Sequence, residues 1–296
     1  MTFDTHRLAE RASLLRLSAL SLAENMKSGN FKSVHRGQGI EFSDVREYLY
    51  GDNVRAIDWN VTARTGRAFI RQYEEDRELS VFLILDCSRS MESGPHTKTR
   101  LSTAAETAAL LLLASEHNQG ATGTVLFDGK ILFSCEPKPG RENSMMILSM
   151  LDKIGSIPDE ARTDGSALAN AITGAAKLLR KRSLVFILSD FRSAGWEKPL
   201  ARLAQKNDVV AVRITDRTDS ELPDMGTVPF IDAETHKKAV LPTRSRRLKS
   251  EWAAADKQRT ARWKDSCARH GVRTVTLDTG DDALMVLSRF FRTTGA

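Results

Sequence analysis

Long hydrophobic runs are missing from this 296-residue sequence. No segment approaches the roughly 18 to 20 uninterrupted apolar residues that a membrane-spanning helix needs. The N-terminal segment MTFDTHRLAERASLLRLSALSLAEN carries charges where a signal peptide requires an apolar region. These absences argue against a transmembrane or secreted chain and predict a cytoplasmic protein.

Cysteine is also scarce. Cys87, Cys135 and Cys267 are the only three, and none of them belongs to a Cys-x-x-Cys pair. An odd count without that spacing argues against a disulfide framework and against a thiolate zinc site. We therefore expect any metal in this protein to be held by oxygen ligands.

Positive charge is only mildly in excess, because the sequence has 44 Lys and Arg residues and 38 Asp and Glu residues, for a net charge of +6. The basic excess is concentrated in residues 243–273, which could form a stripe that binds nucleic-acid phosphates. The alternative is an amphipathic helix whose basic face is solvated. We favour the helix, because no zinc-finger spacing or aromatic RNA-binding signature is present. Its predicted buried stripe is Leu248, Trp252, Ala255, Arg259, Trp263 and Cys267.

The hydrophobic pattern divides the chain into three regions. Residues 1–29 contain an amphipathic helix over about 7–27, with apolar residues at helical spacing. Residues 30–78 are polar and rich in turns, which predicts a small β-rich subdomain. Residues 79–296 alternate short apolar runs with helical segments, a pattern typical of an α/β domain with a mainly parallel sheet and helices on both faces.

Chemistry in such a sheet is expected just after the carboxyl ends of the strands. Asp86, Ser88 and Ser90 follow the apolar run SVFLIL, and Asp190 follows SLVFILS. Thr163 precedes a predicted helix between them. Carboxylate and hydroxyl oxygens suit Mg²⁺, which prefers octahedral oxygen coordination at roughly 2.0–2.1 Å. The pattern predicts a divalent-cation site, although each of these residues could instead cap a turn or a helix. Asp164 could replace Thr163 as the loop ligand.

The residues DCSRS, with Thr163 and Asp190, resemble the metal-ion-dependent adhesion site (MIDAS) of von Willebrand factor A-like domains. By this resemblance, Asp86, Ser88, Ser90, Thr163 and Asp190 hold Mg²⁺, or another divalent cation such as Mn²⁺ or Ca²⁺. An ion with neutral hydroxyl ligands can accept a carboxylate from a partner protein as its missing ligand. The resemblance therefore implies metal-dependent protein binding.

A wider resemblance extends over roughly residues 30–235. The stretch REYLYGDNVRAIDW, with SDF at 189–191 and ITDRTDSELPDMG at 214–226, is similar to the bacterial family catalogued as domain of unknown function fifty-eight. Its members have a β-rich insert before an adhesion-type domain and are commonly encoded beside MoxR-type AAA+ ATPases. The resemblance implies an adaptor or co-chaperone that works with such an ATPase in assembly or metal loading of a client complex. Many members carry transmembrane helices before this motif, whereas this chain has an amphipathic helix there.

No catalytic set accompanies these residues. The aspartyl nucleophile of haloacid-dehalogenase-like phosphatases is followed by a second Asp, and here Ser88 takes that position, which removes the acid/base partner. No nucleophile elbow and no phosphate-binding glycine loop is present. We therefore expect a protein that is not an enzyme and does not bind nucleic acid. The alternatives are nucleic-acid binding through residues 243–273 and a metal-dependent hydrolase.

The segment 46–64 alternates charged and aromatic residues. It could form a docking surface, or an internal network in which Arg and Asp satisfy one another and Trp59 anchors the subdomain. We favour the network for Arg55, Asp58 and Trp59. The other members of the set are Arg46, Tyr48, Asp52 and Arg64.

Overall fold

The computed structural model describes residues 41–50, 52, 54–74, 80–92, 98–155, 167–231 and 238–294. The chain divides into two compact units, one within residues 32–78 and one that contains the described residues from 80 onward. The helix predicted over 7–27 lies outside the described residues. No helix in the described ranges is long and apolar enough to cross a membrane.

The smaller unit contains an antiparallel strand pair and short helical segments. Strand β1 (Glu41–Glu47) pairs with β2 (Phe69–Glu74). A 3-10 helix (Val54–Ala56) and helix α1 (Trp59–Thr65) lie between them in the sequence. Asp58 caps α1 by accepting hydrogen bonds from the backbone N–H groups of Asn60 and Val61.

The larger unit is built around a six-stranded sheet. Its strands are β3 (Val81–Asp86), β4 (Thr122–Phe127), β5 (Ile131–Lys138), β6 (Leu184–Ser189), β7 (Asp208–Thr215) and β10 (Arg273–Asp278). The spatial order is β10-β7-β6-β3-β4-β5, and every pair is parallel except β4 with β5. A separate antiparallel pair is formed by β8 (Thr227–Ile231) and β9 (Lys238–Pro242). The predicted α/β class with a mainly parallel sheet is confirmed.

Helices cover the sheet on both faces. They are α2 (Arg89–Glu92), α3 (Arg100–His117), α4 (Arg141–Gly155), α5 (Leu168–Leu178), α6 (Glu197–Ala204), α7 (Arg246–Arg269) and α8 (Ala283–Thr294). A further 3-10 helix spans Arg217–Asp219.

Strand β3 shows why an uninterrupted apolar run forms the centre of this sheet. Val81, Leu83 and Leu85 belong to one core, which also includes α3, α4 and α8, whereas Phe82 and Ile84 belong to a second core with α5, α6 and α7. Successive side chains of a strand point to opposite faces, so both faces must be apolar when both are covered. Gly123 of β4 allows this packing, since a Cβ there would lie 2.8 Å from the Phe82 ring.

The predicted buried stripe of α7 is wrong at Ala255 and Arg259. Trp263 and Cys267 are buried, but Ala255 and Arg259 are exposed, and Leu248 and Trp252 are half-buried. Asp256 and Thr260 occupy the inward positions instead, because both accept hydrogen bonds from the buried guanidinium of Arg213 in β7. A buried charge therefore sets the orientation of this part of the helix.

Candidate metal site

The carboxyl ends of three neighbouring parallel strands meet at one edge of the sheet. Strand β3 lies between β4 and β6, and it ends at Asp86, level with Phe127 at the end of β4. The partner strand β6 ends at Ser189, which is followed at once by Asp190. The fold thus brings two carboxylates from distant parts of the sequence to adjacent strand ends.

Asp86 is held by two hydrogen bonds. Its Oδ1 accepts from the backbone N–H of Ser88 at 3.0 Å, and its Oδ2 accepts from the hydroxyl of Ser189 at 2.7 Å. The residue is 1% exposed. Both carboxylate oxygens are therefore oriented by the protein.

The two serines predicted as metal ligands lie side by side. Ser88 and Ser90 are buried, and their Oγ atoms are 3.1 Å apart, so that one hydroxyl donates to the other. Ser90 lies in the short helix α2, which begins immediately after the strand end. The loop therefore presents one carboxylate and two neutral hydroxyls together.

The two carboxylate oxygens of Asp190 differ in their hydrogen bonds. Oδ1 accepts from the backbone N–H of Arg192 at 3.0 Å, whereas the buried Oδ2 has no hydrogen-bond donor among the residues that the structure describes. Oδ2 lies 3.6 Å from Nε of Arg192, which is beyond hydrogen-bond distance. A buried carboxylate oxygen of this kind is poorly satisfied, and a cation is a natural partner for it.

The electrostatics of Asp86 reflect the proximity of Asp190. Burial raises the pKa of Asp86, and the negative charge of Asp190 raises it further, to about 7. The hydrogen bonds from Ser189 and Ser88 oppose this rise. Two buried carboxylates that repel each other favour a proton or a cation between them. The oxygen donors and this charge fit a divalent cation of the Mg²⁺ type.

Thr163 and Asp164, the alternative loop ligands, lie outside the described residues. The described chain resumes at Ala167, whose N–H donates to the carbonyl of Asp128 at 2.8 Å. Asp128 directly follows strand β4, so Ala167 lies at the same edge of the sheet as Asp86. The assignment of Thr163 stays a prediction.

The sequence did not indicate a second layer of residues behind the site. Arg100 is 2% exposed, donates to the carbonyl of Ser90 at 3.0 Å and pairs with Asp219. Asp219 also pairs with Arg192. Arg100 and Asp219 therefore connect the loop that carries Ser90 to the loop that carries Asp190. The sequence predicts no ligand or support role for Ser189, which ends the apolar run SLVFILS and begins the SDF motif.

Another buried carboxylate lies beside this layer, in Asp216. Its Oδ2 accepts from the hydroxyl of Thr279 at 2.7 Å, and its Oδ1 accepts from Thr218. Burial acts to raise the pKa of Asp216, but these hydrogen bonds outweigh burial and lower the pKa below its usual value. Asp216 and Asp219 of the motif at 214–226 therefore have a structural role. In the sequence, the only indication of this role is the clustering of charged residues in the motif.

The described ranges contain no group of three or more His, Cys, Asp or Glu side chains that could hold a metal. The described members of the set at the sheet edge are two carboxylates, from Asp86 and Asp190, and two hydroxyls, from Ser88 and Ser90.

The segment 46–64 belongs to the smaller unit. Arg46 donates to both carboxylate oxygens of Asp52 at 2.8 and 2.7 Å, so these two residues do form an internal pair. Trp59 is 68% exposed, and its predicted role as a buried anchor is wrong.

Comparison with known families identifies one match that covers most of the chain. The profile of the family described as protein of unknown function DUF58 matches residues 44–262. Uncharacterized proteins of Mycobacterium bovis and Mycobacterium tuberculosis are 30% identical to this chain over 233 residues, which is 78% of this chain and 73% of theirs.

Two solved structures are similar over a large part of the chain. An aerotolerance-related membrane protein from Bacteroides fragilis is 15% identical, with a TM-score of 0.47, over 73% of this chain and 99% of that chain. The pilus adhesin SpaC from Lactobacillus rhamnosus GG is 9% identical, with a TM-score of 0.40, over 75% of this chain and 31% of that chain. Similarities at these TM-scores carry no argument about function.

Proposed function

The chain belongs to the DUF58 family of proteins of unknown function, and on that premise we propose that it is a non-enzymatic, Mg²⁺-dependent protein-binding adaptor. The observation that carries the proposal is the pair of buried carboxylates Asp86 and Asp190 at adjacent strand ends, beside the hydroxyls of Ser88 and Ser90. This donor set resembles the MIDAS of von Willebrand factor A-like domains.

The ligands proposed for the ion are Asp86, Ser88, Ser90 and Asp190, with Thr163 as the loop ligand and Asp164 as the alternative. Bound Mg²⁺, or Mn²⁺ or Ca²⁺ in its place, would supply a Lewis-acidic position for a carboxylate from a partner protein. The chain itself orients Asp86 through Ser88 and Ser189, and no donor within the described part of the chain occupies Oδ2 of Asp190.

A binding role suits these residues better than a hydrolytic one. A phosphatase of the aspartyl-nucleophile type needs a second carboxylate two residues after the first, and Ser88 stands there. The hydroxyls of Ser88 and Ser90 lie 3.1 Å apart and bond to each other. The arrangement favours a site that holds an ion and presents it to a ligand.

The partner we propose is a MoxR-type AAA+ ATPase, with an unidentified client complex whose assembly or metal loading the two proteins promote. The support for this partner is the resemblance of residues 30–235 to a family commonly encoded beside such ATPases. An adaptor that binds through a metal would release its partner when the metal is removed, which suits a transient role.

The test is binding of the purified full chain to the MoxR-type ATPase of the same organism, measured by biolayer interferometry. Binding is expected in Mg²⁺, should disappear in EDTA and should return when Mg²⁺ is restored. Asp86→Ala and Asp190→Asn should both abolish it, whereas Glu251→Gln, an exposed charge neutralisation on α7, should not. Binding that is indifferent to EDTA and to Asp86→Ala would overturn the metal-dependent mechanism.

A further inference from the structure

A groove of about 700 Å³ lies between the loop after β6 and the C-terminal half of α7. Its apolar wall contains the rings of Phe191, Trp196 and Trp263, which pack together with centroid distances of 5.3 and 5.6 Å from Phe191. Phe191 adopts a left-handed backbone conformation with φ of 54°, which is unusual for a bulky residue. The ring contacts pack the loop after β6 against α7, and the groove opens beside them.

Several buried polar atoms in this groove lack a hydrogen-bond partner in the ranges that the structure describes. They include the indole Nε1 of Trp263 and the hydroxyl of Ser266, in residues that are 4% and 5% exposed. The hydroxyl of Ser193, on the facing loop, is in the same state. Leaving such a group unsatisfied costs about 1–3 kcal/mol. Because an indole N–H can only donate, the missing partner of Trp263 is an acceptor.

Arginines line the groove on the helix side. Arg259, Arg262 and Arg269 are exposed, and they follow one face of α7 around Trp263 and Ser266. Arg262 and Arg269 form no ion pair with any described residue. Asp190, Glu197 and Asp265 also line the groove. Of its five arginines, Arg192 pairs with Asp219, and Arg213 and Arg259 pair with Asp256, so Arg262 and Arg269 are the two that are available to a ligand. A donor-rich floor and a basic rim select an anionic ligand with oxygen acceptors.

We propose that this groove binds an acidic peptide segment of a partner protein. Carboxylates of the segment would accept from Trp263 and Ser266 and pair with Arg262 and Arg269, and its apolar residues would contact Phe191 and Trp196. Residues 259 to 269 of the helix extend over about 15 Å, the length of four or five residues of extended peptide. This docking site goes beyond the proposed metal site. Asp190 lines the groove as well, but the donors and arginines that would hold the peptide are not among the proposed metal ligands.

The test is a selection of phage-displayed random heptapeptides on the immobilised full chain, carried out in EDTA so that a metal site cannot contribute. The enriched peptides are expected to carry two or more Asp or Glu residues within five positions. Labelled synthetic copies should then bind in solution, and the indole N–H signal of Trp263, assigned with Trp263→Phe, should shift in ¹H–¹⁵N spectra when they bind.

Two double variants of equal charge change give the control. Arg262→Glu with Arg269→Glu, at the groove, should weaken peptide binding about tenfold or more. Arg246→Glu with Arg247→Glu, at the other end of α7, should leave binding nearly unchanged. All four side chains are exposed, so both variants should fold, which circular dichroism will check.

Three outcomes would overturn the proposal. The first is a selection without acidic enrichment. The second is equal loss of binding in both double variants, which would indicate general attraction to the basic helix. The third is tight, salt-sensitive binding of single-stranded or duplex DNA that both double variants weaken equally, which would favour a nucleic-acid stripe. Failure of the metal-dependent ATPase binding leaves this test intact, because it is performed without divalent ions.

Discussion

The hydroxyl of Ser189 donates a 2.7 Å hydrogen bond to Oδ2 of Asp86 across two neighbouring parallel strands. The two residues are 103 positions apart in the sequence. Ser189 also accepts from the backbone N–H of Phe191 at 3.0 Å. One side chain therefore orients the carboxylate on β3 and fixes the loop that carries Asp190.

Ser189→Ala tests this relationship. The substitution removes a buried donor from Asp86, so the free energy of unfolding should fall by about 1–2 kcal/mol. Mg²⁺ affinity should fall about 10- to 100-fold, as expected for loss of a residue that orients a metal ligand. Urea denaturation and isothermal titration calorimetry measure the two effects. Ser189→Thr retains the hydroxyl and is the control, and an unchanged Mg²⁺ affinity in Ser189→Ala would contradict the role of Ser189.

The pKa of Asp86 predicts how pH affects the metal-free protein. Its pKa is about 7 in the folded state and about 3.9 in an unfolded chain, so the folded state binds the proton more tightly. The stability contributed by this group is complete below about pH 4 and is lost as the pH rises through 7.

Asp190→Asn isolates the part of this loss that comes from carboxylate repulsion. The substitution removes the second cause of the raised pKa and leaves burial, the first. In EDTA, the variant should therefore gain stability relative to the unmodified chain as the pH rises from 5 to 8. Guanidinium denaturation at a series of pH values measures the difference. A difference that stays constant with pH would show that the two carboxylates do not interact.

The loop ligand is the next point to test. Addition of Mg²⁺ should raise the melting temperature, because an ion present at 100 times its Kd stabilises a folded protein by about 2.7 kcal/mol. Thr163→Ala should abolish this rise, whereas Thr163→Ser, which retains a hydroxyl, should keep it. Asp164→Ala should also keep it. The reverse result, with loss only in Asp164→Ala, would assign the ligand to Asp164.

Arg100 is expected to stabilise the loop that carries Ser90. Its guanidinium is buried, donates to the Ser90 carbonyl and pairs with Asp219. Arg100→Met would remove a buried charge partner of Asp219 and leave it Arg192 and the backbone N–H of Asp216, and a loss of about 3 kcal/mol is expected. Arg217→Met removes an exposed pair with Glu221 and should have no measurable effect. Equal effects of the two substitutions in urea denaturation would contradict this account.

The fold class was predictable because its signal is local. Val81 to Leu85 are apolar without interruption, and the two buried cores explain why such a run predicts a central parallel strand. The antiparallel direction of β5 was not predictable, since an apolar run has no direction. Its residues are all exposed or half-buried, which reflects its position at the sheet edge.

The candidate site was predictable only where its residues follow strand ends. Asp86, Ser88, Ser90 and Asp190 stand there, and the structure places all four in buried positions at one edge. The residues that support them, such as Arg100 and Asp219, are 119 positions apart and have no common local motif. The orientation of α7 was mispredicted for the same reason, because it depends on Arg213, a charged residue within an otherwise apolar strand.

Asp256 and Ala255 test that orientation directly. Nη2 of Arg213 donates to Oδ1 of Asp256 at 2.9 Å, and Arg213 is 4% exposed. Asp256→Ala would remove the carboxylate partner of a buried guanidinium, which should destabilise the fold by about 3 kcal/mol. Ala255→Asp should stay within about 0.5 kcal/mol of the unmodified chain, because position 255 is exposed. If Ala255 belonged to a buried stripe, the new carboxylate would be buried without a partner. A large loss of stability of Ala255→Asp in urea denaturation would therefore support the orientation predicted from the sequence.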